Sequence, residues 1–353
     1  MSVTLKDVAA RAGVSRGTVD RVIYERGIVN SETREKVLRA VEELNYAPNV
    51  SARALARSRK SSGIGVIIPD QPGFFHDEVL RGIRDGMKEC RGMGIPVRIK
   101  ECSANDSKAY IRAIDAMEAD GIRAFALSGQ NTKPLIDRID ALADEGVPVI
   151  TINSDIPESR RAAFVGEDSR KSGRIAGQMM AKMLPRPGQV LVIGGRSEYA
   201  AHVNRVEGFL QALEEHAVFD VACETVYTYE DHDLTYQAVA DALTGDGSLC
   251  GIYLASSAVS ACVEARKDAE ARADARSRKS GSKTPRLISI CHDIPPATLD
   301  YLRSGDIDLT IEQNIYRQGY KPLQMLRDHL LNGDEIRNEE VRTFYNVLTS
   351  ECI

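Results

Sequence analysis

DVAARAGVSRGTVDRVI, residues 7–23, holds two helical patterns separated by one glycine. Leu5, Val8, Ala9 and Ala12 recur at helical spacing before Gly13 interrupts them. Ser15 is placed to cap a second helix, and Val19, Val22 and Ile23 form its apolar face. Further on, Asn30 or Ser31 can cap a third helix with Val37, Val41 and Leu44 turned inward. Three short helices with a tight Ala-Gly-Val turn between the first two predict a helix-turn-helix. In that motif the second helix enters the DNA major groove, with its N-terminal residues nearest the base edges.

The residues so placed are Ser15, Arg16, Gly17, Thr18, Asp20 and Arg21, with Asn30 at the start of the third helix. An arginine can fork onto guanine O6 and N7, Thr18 can reach a phosphate or a base edge, and Gly17 permits close backbone approach. Asp20 has two readings. It can accept from cytosine N4, or pair with Arg16 one turn earlier and hold that guanidinium in place.

Charge points the same way. Residues 1–60 hold 12 Lys and Arg against 7 Asp and Glu, a net of +5, whereas the remaining residues hold 34 against 44, a net of −10. A basic head on an acidic body implies a polyanionic partner for the head alone. Seven cysteines, odd in number and without a Cys-x-x-Cys pair, argue against a disulfide framework or a zinc site. Residues 1–20 contain no apolar leader and no run approaches ~18 apolar residues. A cytoplasmic protein is therefore expected.

LKDVAARAGVSRGTVDRVI, followed by VNSETREKVLRAVEELNYAPN, resembles the DNA-binding domain of the lactose/galactose (LacI/GalR) repressor family, nearly without interruption over residues 3–58. The resemblance implies that Arg16 and Gly17 are the main base-reading pair and that Arg21 also contacts the operator. It also implies a hinge helix in Asn49–Arg57, folding on DNA beside its copy in a second subunit. There Leu55 would wedge into the minor groove, flanked by Ala52 and Arg53. The family usually has Ser where this chain has Asp20.

Beyond residue 62, short apolar runs alternate with amphipathic stretches. GIGVII (63–68), IPVRI (95–99), IRAFAL (122–127), VPVITI (147–152), QVLVIG (189–194), CGIYLA (250–255), RLISIC (286–291) and IDLTIE (307–312) read as strands, and FYNVLTSECI as one more. Stretches 77–91, 106–119, 169–184 and 201–215 read as helices. About nine strands exceed one comfortable open sheet, so two α/β lobes with parallel sheets are predicted. Ligands in such sheets sit beyond the carboxyl ends of the strands. Seven strand ends here offer hydroxyl, amide or carboxylate groups, Ser128 among them, while Phe74 and Phe75 supply apolar plates. Polar residues end strands in any α/β protein, but seven together suit a polyhydroxylated small molecule.

This body resembles type I periplasmic sugar-binding proteins, especially the ribose-binding branch, and hence the effector domain of the same repressor family. The resemblance gives Phe74 and Phe75 ring-stacking roles. It reads TINSD as a crossing between lobes, with Asn153, Ser154 and Asp155 binding hydroxyls. It makes Arg205 a donor to ligand oxygens, and aligns Asp293 and Gln313 with the family's sugar-binding aspartate and glutamine. Ser256-Ser257 stand where relatives carry Asn-Asp.

The expected organisation is a small all-α DNA-binding domain (1–48), a hinge helix and linker (49–61), and a two-lobed type I periplasmic-binding-protein-like effector domain (62–353). Its first lobe is expected at 62–156 plus 294–320, its second at 157–293 plus 321–353. No phosphate-binding loop, His-Glu-x-x-His or Gly-x-Ser-x-Gly motif occurs, so neither enzyme activity nor a cofactor or metal is expected. The implied function is a dimeric regulator, most simply a repressor. It would bind a pseudo-palindromic DNA operator under control of a small effector, a monosaccharide or polyol. The absence of a dense Arg/Lys cluster at the strand ends disfavours a phosphorylated one. A transport receptor for sugars would leave the basic head unexplained.

Overall fold

The computed structural model describes residues 5–23, 29–44, 62–103, 106–217, 219–245, 247–277, 286–336 and 339–353. The chain divides into two units, Met1–Arg59 and Lys60–Ile353.

In the first unit, α1 (Leu5–Ala12), α2 (Arg16–Ile23) and α3 (Ser31–Glu43) enclose a small core of Val8, Ala9, Val19, Val22, Val37 and Ala40. Gly13 takes φ 69°, and the Val14 N–H returns to the Ala9 carbonyl at 3.1 Å. That left-handed turn would strain a residue with a Cβ. The Ser15 hydroxyl accepts from the Thr18 N–H at 3.2 Å, capping α2. Asn30 caps α3 through Oδ1 and the Thr33 N–H at 2.8 Å.

The second unit is built on two six-stranded sheets. The first contains β1 (Gly63–Pro69), β2 (Val97–Cys102), β3 (Ile122–Leu127), β4 (Val149–Ile152), β5 (Ala163–Gly166) and β11 (Glu339–Arg342), in the order β11-β5-β4-β3-β1-β2. The second contains β6 (Gly188–Gly194), β7 (Val221–Tyr227), β8 (Leu249–Leu254), β9 (Ile288–His292), β10 (Leu309–Glu312) and β12 (Asn346–Leu348), in the order β12-β10-β9-β8-β6-β7. All pairings are parallel except β10 with β12.

Helices on both faces bury each sheet, which is why its strands are nearly continuous apolar runs. In β1, Ile64, Val66 and Ile68 pack toward α4 (Phe74–Gly92) and α12 (Ile315–Asn332), while Ile67 packs toward α5 (Ser107–Ala119) and α6 (Lys133–Asp144). In β6, Val190 and Val192 meet α7 (Ser169–Met183) and α8 (Ala200–His216). Leu191 and Ile193 meet α9 (His232–Leu243) and α10 (Val259–Ser277). Helix α11 (Pro296–Ser304) connects β9 to β10.

Among the described residues, a helix pair in each lobe meets backbone to backbone at glycines. A Cβ on Gly82 of α4 would lie 2.1 Å from the Tyr316 carbonyl oxygen of α12, and one on Gly319 lies 2.2 Å from that of Val79. Between α7 and α8, a Cβ on Gly173 would lie 2.1 Å from the Arg205 carbonyl oxygen, and one on Gly208 2.1 Å from that of Arg170.

The lobe boundaries expected from sequence are corrected by the pairing. Strand β5 pairs with β4, so the chain stays in the first sheet through Gly166. TINSD is therefore a turn within the first lobe, and the first crossing comes at residues 167–168. Strand β10 pairs with β9, so residues 309–312 belong to the second lobe. Helix α12 then packs on α4 and β11 pairs with β5, returning the chain to the first lobe until β12 re-enters the second. Three crossings join the lobes, near Glu167, Gln313 and Thr343.

Candidate functional site

The carboxyl ends of the strands of both lobes converge on a cavity of about 330 Å³, toward the small end of the ~300–1,000 Å³ typical of small-molecule sites. Of the ten effector-contact candidates, nine line it: Phe74, Phe75, Ser128, Asn153, Ser154, Arg205, Ser256, Asp293 and Gln313. Asp155 does not. Its carboxylate binds Arg161 through Nε at 2.5 Å and Nη2 at 2.6 Å, and accepts from the Thr151 hydroxyl at 2.7 Å. Asp155 thus fastens the β4–β5 turn.

Backbone strain is concentrated here. Among the described residues, the non-glycine positions with positive φ are Asn153, Tyr229, Glu230, Asp293 and Asn314. Three of them line the cavity, and the other two are chain neighbours of lining residues. Such conformations persist where surrounding structure imposes them, and they cluster at binding sites. At Asp293 (φ 66°) the imposing bonds are its N–H to the Ile311 carbonyl at 2.9 Å and the Thr310 hydroxyl to its own carbonyl at 2.6 Å.

Phe74 and Phe75 open α4, half-buried against the first-lobe core. Gln313 Nε2 donates to both oxygens of Asp293 at 3.0 Å. Gln318 of α12 holds Gln313 from behind, donating to its side-chain oxygen at 3.1 Å. Burial pushes the Asp293 carboxyl up to about 7, against the opposing pull of Arg205 and Gln313.

Arg205 was expected to donate to ligand oxygens, but three of its nitrogens are already engaged. Nε and Nη2 meet Glu167 Oε1 at 2.6 and 2.5 Å, and Nη1 donates to the Ala255 carbonyl at 3.2 Å. The Glu167 side chain is 0% exposed and that of Arg205 5%, so the pair is a closed ion pair in the cavity wall at a lobe crossing.

Sequence reasoning did not single out Gln71, His76, Glu230, Thr298 and Gln318, which also line the cavity. Glu230, with φ 61° after β7, accepts from the Ser257 hydroxyl at 2.9 Å and from Gln71 Nε2 at 2.7 Å. Gln71 follows β1 of the other lobe, so this bond spans the cleft. Burial opposes the Glu230 charge, yet the His202 ring and these two hydrogen bonds outweigh it and hold the carboxyl below its usual range. Burial lowers His202 to about 4. Its Nδ1 accepts from the Arg196 N–H at 2.8 Å, so the neutral ring carries its proton on Nε2. His292 is also held well below the ordinary range by burial, and shares a hydrogen bond with Tyr253 at 2.8 Å. Ser256 Oγ, His292 Nδ1, Thr298 Oγ1 and Gln318 Oε1 are buried without a hydrogen-bond partner among the described residues.

In the first unit, Ser15, Gly17, Arg21 and Asn30 are exposed and Thr18 is half-buried, while Val19 and Val22 are turned to the core. The side chains of Arg16 and Asp20, and all of Ala52, Arg53 and Leu55, lie outside the described residues.

Residues 4–49 match the family model for bacterial regulatory proteins of the lacI family, and residues 64–335 match that for the periplasmic binding protein domain. The chain is 30% identical over 218 residues to the HTH-type transcriptional regulator DegA of Bacillus subtilis (strain 168), covering 62% of this chain and 63% of DegA. It is 32% identical over 216 residues to the HTH-type transcriptional repressor PurR of Vibrio atlanticus (strain LGP32), covering 60% and 61%. The chain thus spans a little under two thirds of the length of these curated relatives. A solute-binding protein of Burkholderia graminis C4D1M, solved in complex with D-arabinose, shares the fold with a TM-score of 0.71 at 19% identity, over 83% of this chain and 96% of that one. The chain belongs to the periplasmic binding protein domain family, and carries the lacI-family helix-turn-helix in front of that domain.

Proposed function

We propose that this chain is a cytoplasmic transcriptional regulator, a repressor in the simplest case, that binds a pseudo-palindromic operator as a dimer and is switched by a small polyhydroxylated effector in the interlobe cleft. The observation that carries this reading is the pairing of a lacI-type helix-turn-helix with a cleft domain whose polar lining is only partly satisfied from within. Arg16, Gly17 and Arg21 read the groove, and Leu55 with Ala52 and Arg53 serves the hinge. The effector draws on the aromatic faces of Phe74 and Phe75 and the polar groups of Ser128, Asn153, Ser154, Ser256, Asp293 and Gln313. Ligand held by both lobes favours one interlobe angle, and the DNA-bound arrangement favours one hinge spacing. Binding at the two sites is then coupled by roughly 1–3 kcal/mol, or about 5–150-fold in affinity. No catalytic chemistry is required.

The test is selection of duplexes from a random pool by the full chain, followed by anisotropy titration of the selected site. A two-fold-related consensus should emerge, and Arg16→Ala should weaken binding by about 1–3 kcal/mol while relaxing one base position. Failure to enrich any sequence over random DNA overturns the reading.

A further inference from the structure

We infer that the cleft is built for a ligand that brings its own positive charge, a hydroxylated amine such as an amino sugar, with Glu230 and Asp293 as its counter-charges. This deepens the proposed effector role and rests on it.

The inference comes from the charge balance of the lining. Its charged groups, histidines aside, are Arg205, Glu230 and Asp293. Arg205 is neutralised at close range by Glu167, which is wholly buried behind it. Burial disfavours charge on His202 and His292, while Glu230 favours it on His202. His76 lies 3.7 Å from the Asp77 carboxylate and 3.4 Å from that of Glu101, so it already faces two carboxylates outside the lining. Two carboxyls remain. Glu230 is met by the neutral donors Gln71 and Ser257, and Asp293 by the neutral amide of Gln313. Among the described lining residues, neither carboxyl is hydrogen-bonded to a cation, and the pull that Arg205 exerts on Asp293 is shared with Glu167.

Burial penalises the charge on both carboxylates, and an arriving cation recovers part of that penalty. A neutral sugar recovers only hydrogen-bond energy. A phosphate or uronic acid adds a third negative charge. An ammonium offers three donors, matching the acceptor-only chemistry of carboxylates. The faces of Phe74 and Phe75 also attract a cation through the ring quadrupole. The hydroxyls of Ser256 and Thr298, which lack partners among the described residues, suit the rest of a polyhydroxylated molecule.

The experiment uses the full chain and matched sugars on three rings at pH 7.0: glucosamine, galactosamine and mannosamine, their hydroxyl parents, and the corresponding uronates and 6-phosphates. Thermal shift finds the binders and calorimetry gives Kd. At least one amine should bind tenfold or more tightly than its own parent, a difference of about 1.4 kcal/mol. Glu230→Gln should collapse that ratio. If the variant does not fold, the wild-type ratio decides alone. A parent sugar or an acidic sugar binding as tightly as the amine, or a ratio that survives Glu230→Gln, overturns the inference and leaves the regulatory reading standing. Binding by none of these compounds overturns the inference, and the operator selection described above then decides the regulatory reading.

Discussion

Replacing Asp293 by asparagine should stabilise the ligand-free protein more at high pH than at low. The carboxyl is raised by burial from its ordinary 3.8 to about 7 in the folded state. The native state therefore holds this proton more tightly than the unfolded chain does. Its stabilising effect is complete below about pH 4 and is lost as pH rises through about 7, a total of roughly 4 kcal/mol. About 2–3 kcal/mol of that loss falls between pH 5.0 and 8.5. Asparagine has no proton to lose there. The stability of Asp293→Asn relative to wild type should thus rise by about 2–3 kcal/mol over that interval, or roughly 4–12 °C in Tm for lobes of this size. Urea unfolding of both proteins at the two pH values measures the difference, and subtraction cancels the other titrating groups. A gap that stays constant within about 0.5 kcal/mol, or narrows, would refute the assignment of a carboxyl raised by burial.

Arg205→Met strands Glu167 in a fully buried site and should cost about 3–5 kcal/mol by urea unfolding, with part of the loss recovered when Glu167→Gln is added. Gln71→Ala removes a direct bond across the cleft, so small-angle scattering of the isolated 60–353 unit should show a larger radius of gyration without ligand; an unchanged radius means that bond does not hold the lobes. Asn30→Ala removes the side-chain cap of α3 and should cost the first unit about 1 kcal/mol, read as faster amide exchange in Thr33 and Arg34 with no change beyond residue 60.

The parts legible in the sequence were those governed by apolar periodicity. IRAFAL became β3 with its bounds intact, and α5, α7 and α8 fall within a residue of their expected ranges, because buried parallel strands and amphipathic helices leave unbroken patterns. Strand β7 left no such mark. It is an edge strand, and VACETVY exposes much of its length. Strand β5 is only four residues long, and missing it shifted the first lobe crossing. Strand ends and the family resemblance together placed nine of ten candidates in one cavity but misplaced Asp155, because a motif cannot tell whether a carboxylate faces a ligand or the neighbouring Arg161. Glu230 was missed for a related reason. It follows the strand without an apolar run, and its importance depends on Gln71, 159 residues away in sequence. The N-cap at Ser15 was legible because capping is a local rule.

The glycine contacts between α4 and α12, and between α7 and α8, set how a disturbance in the cleft is carried. Where two helices meet backbone to backbone, no intervening side chain can change rotamer to absorb a push, so each pair moves as a stiff plate. Arg205 belongs to such a seam, with its guanidinium in the cavity wall and its own carbonyl against Gly173. A displacement of a few tenths of an ångström at the guanidinium has little slack to disappear into locally. It reaches the chain crossing at Glu167 directly through the ion pair, and rotation of one lobe against the other is the motion left open to it.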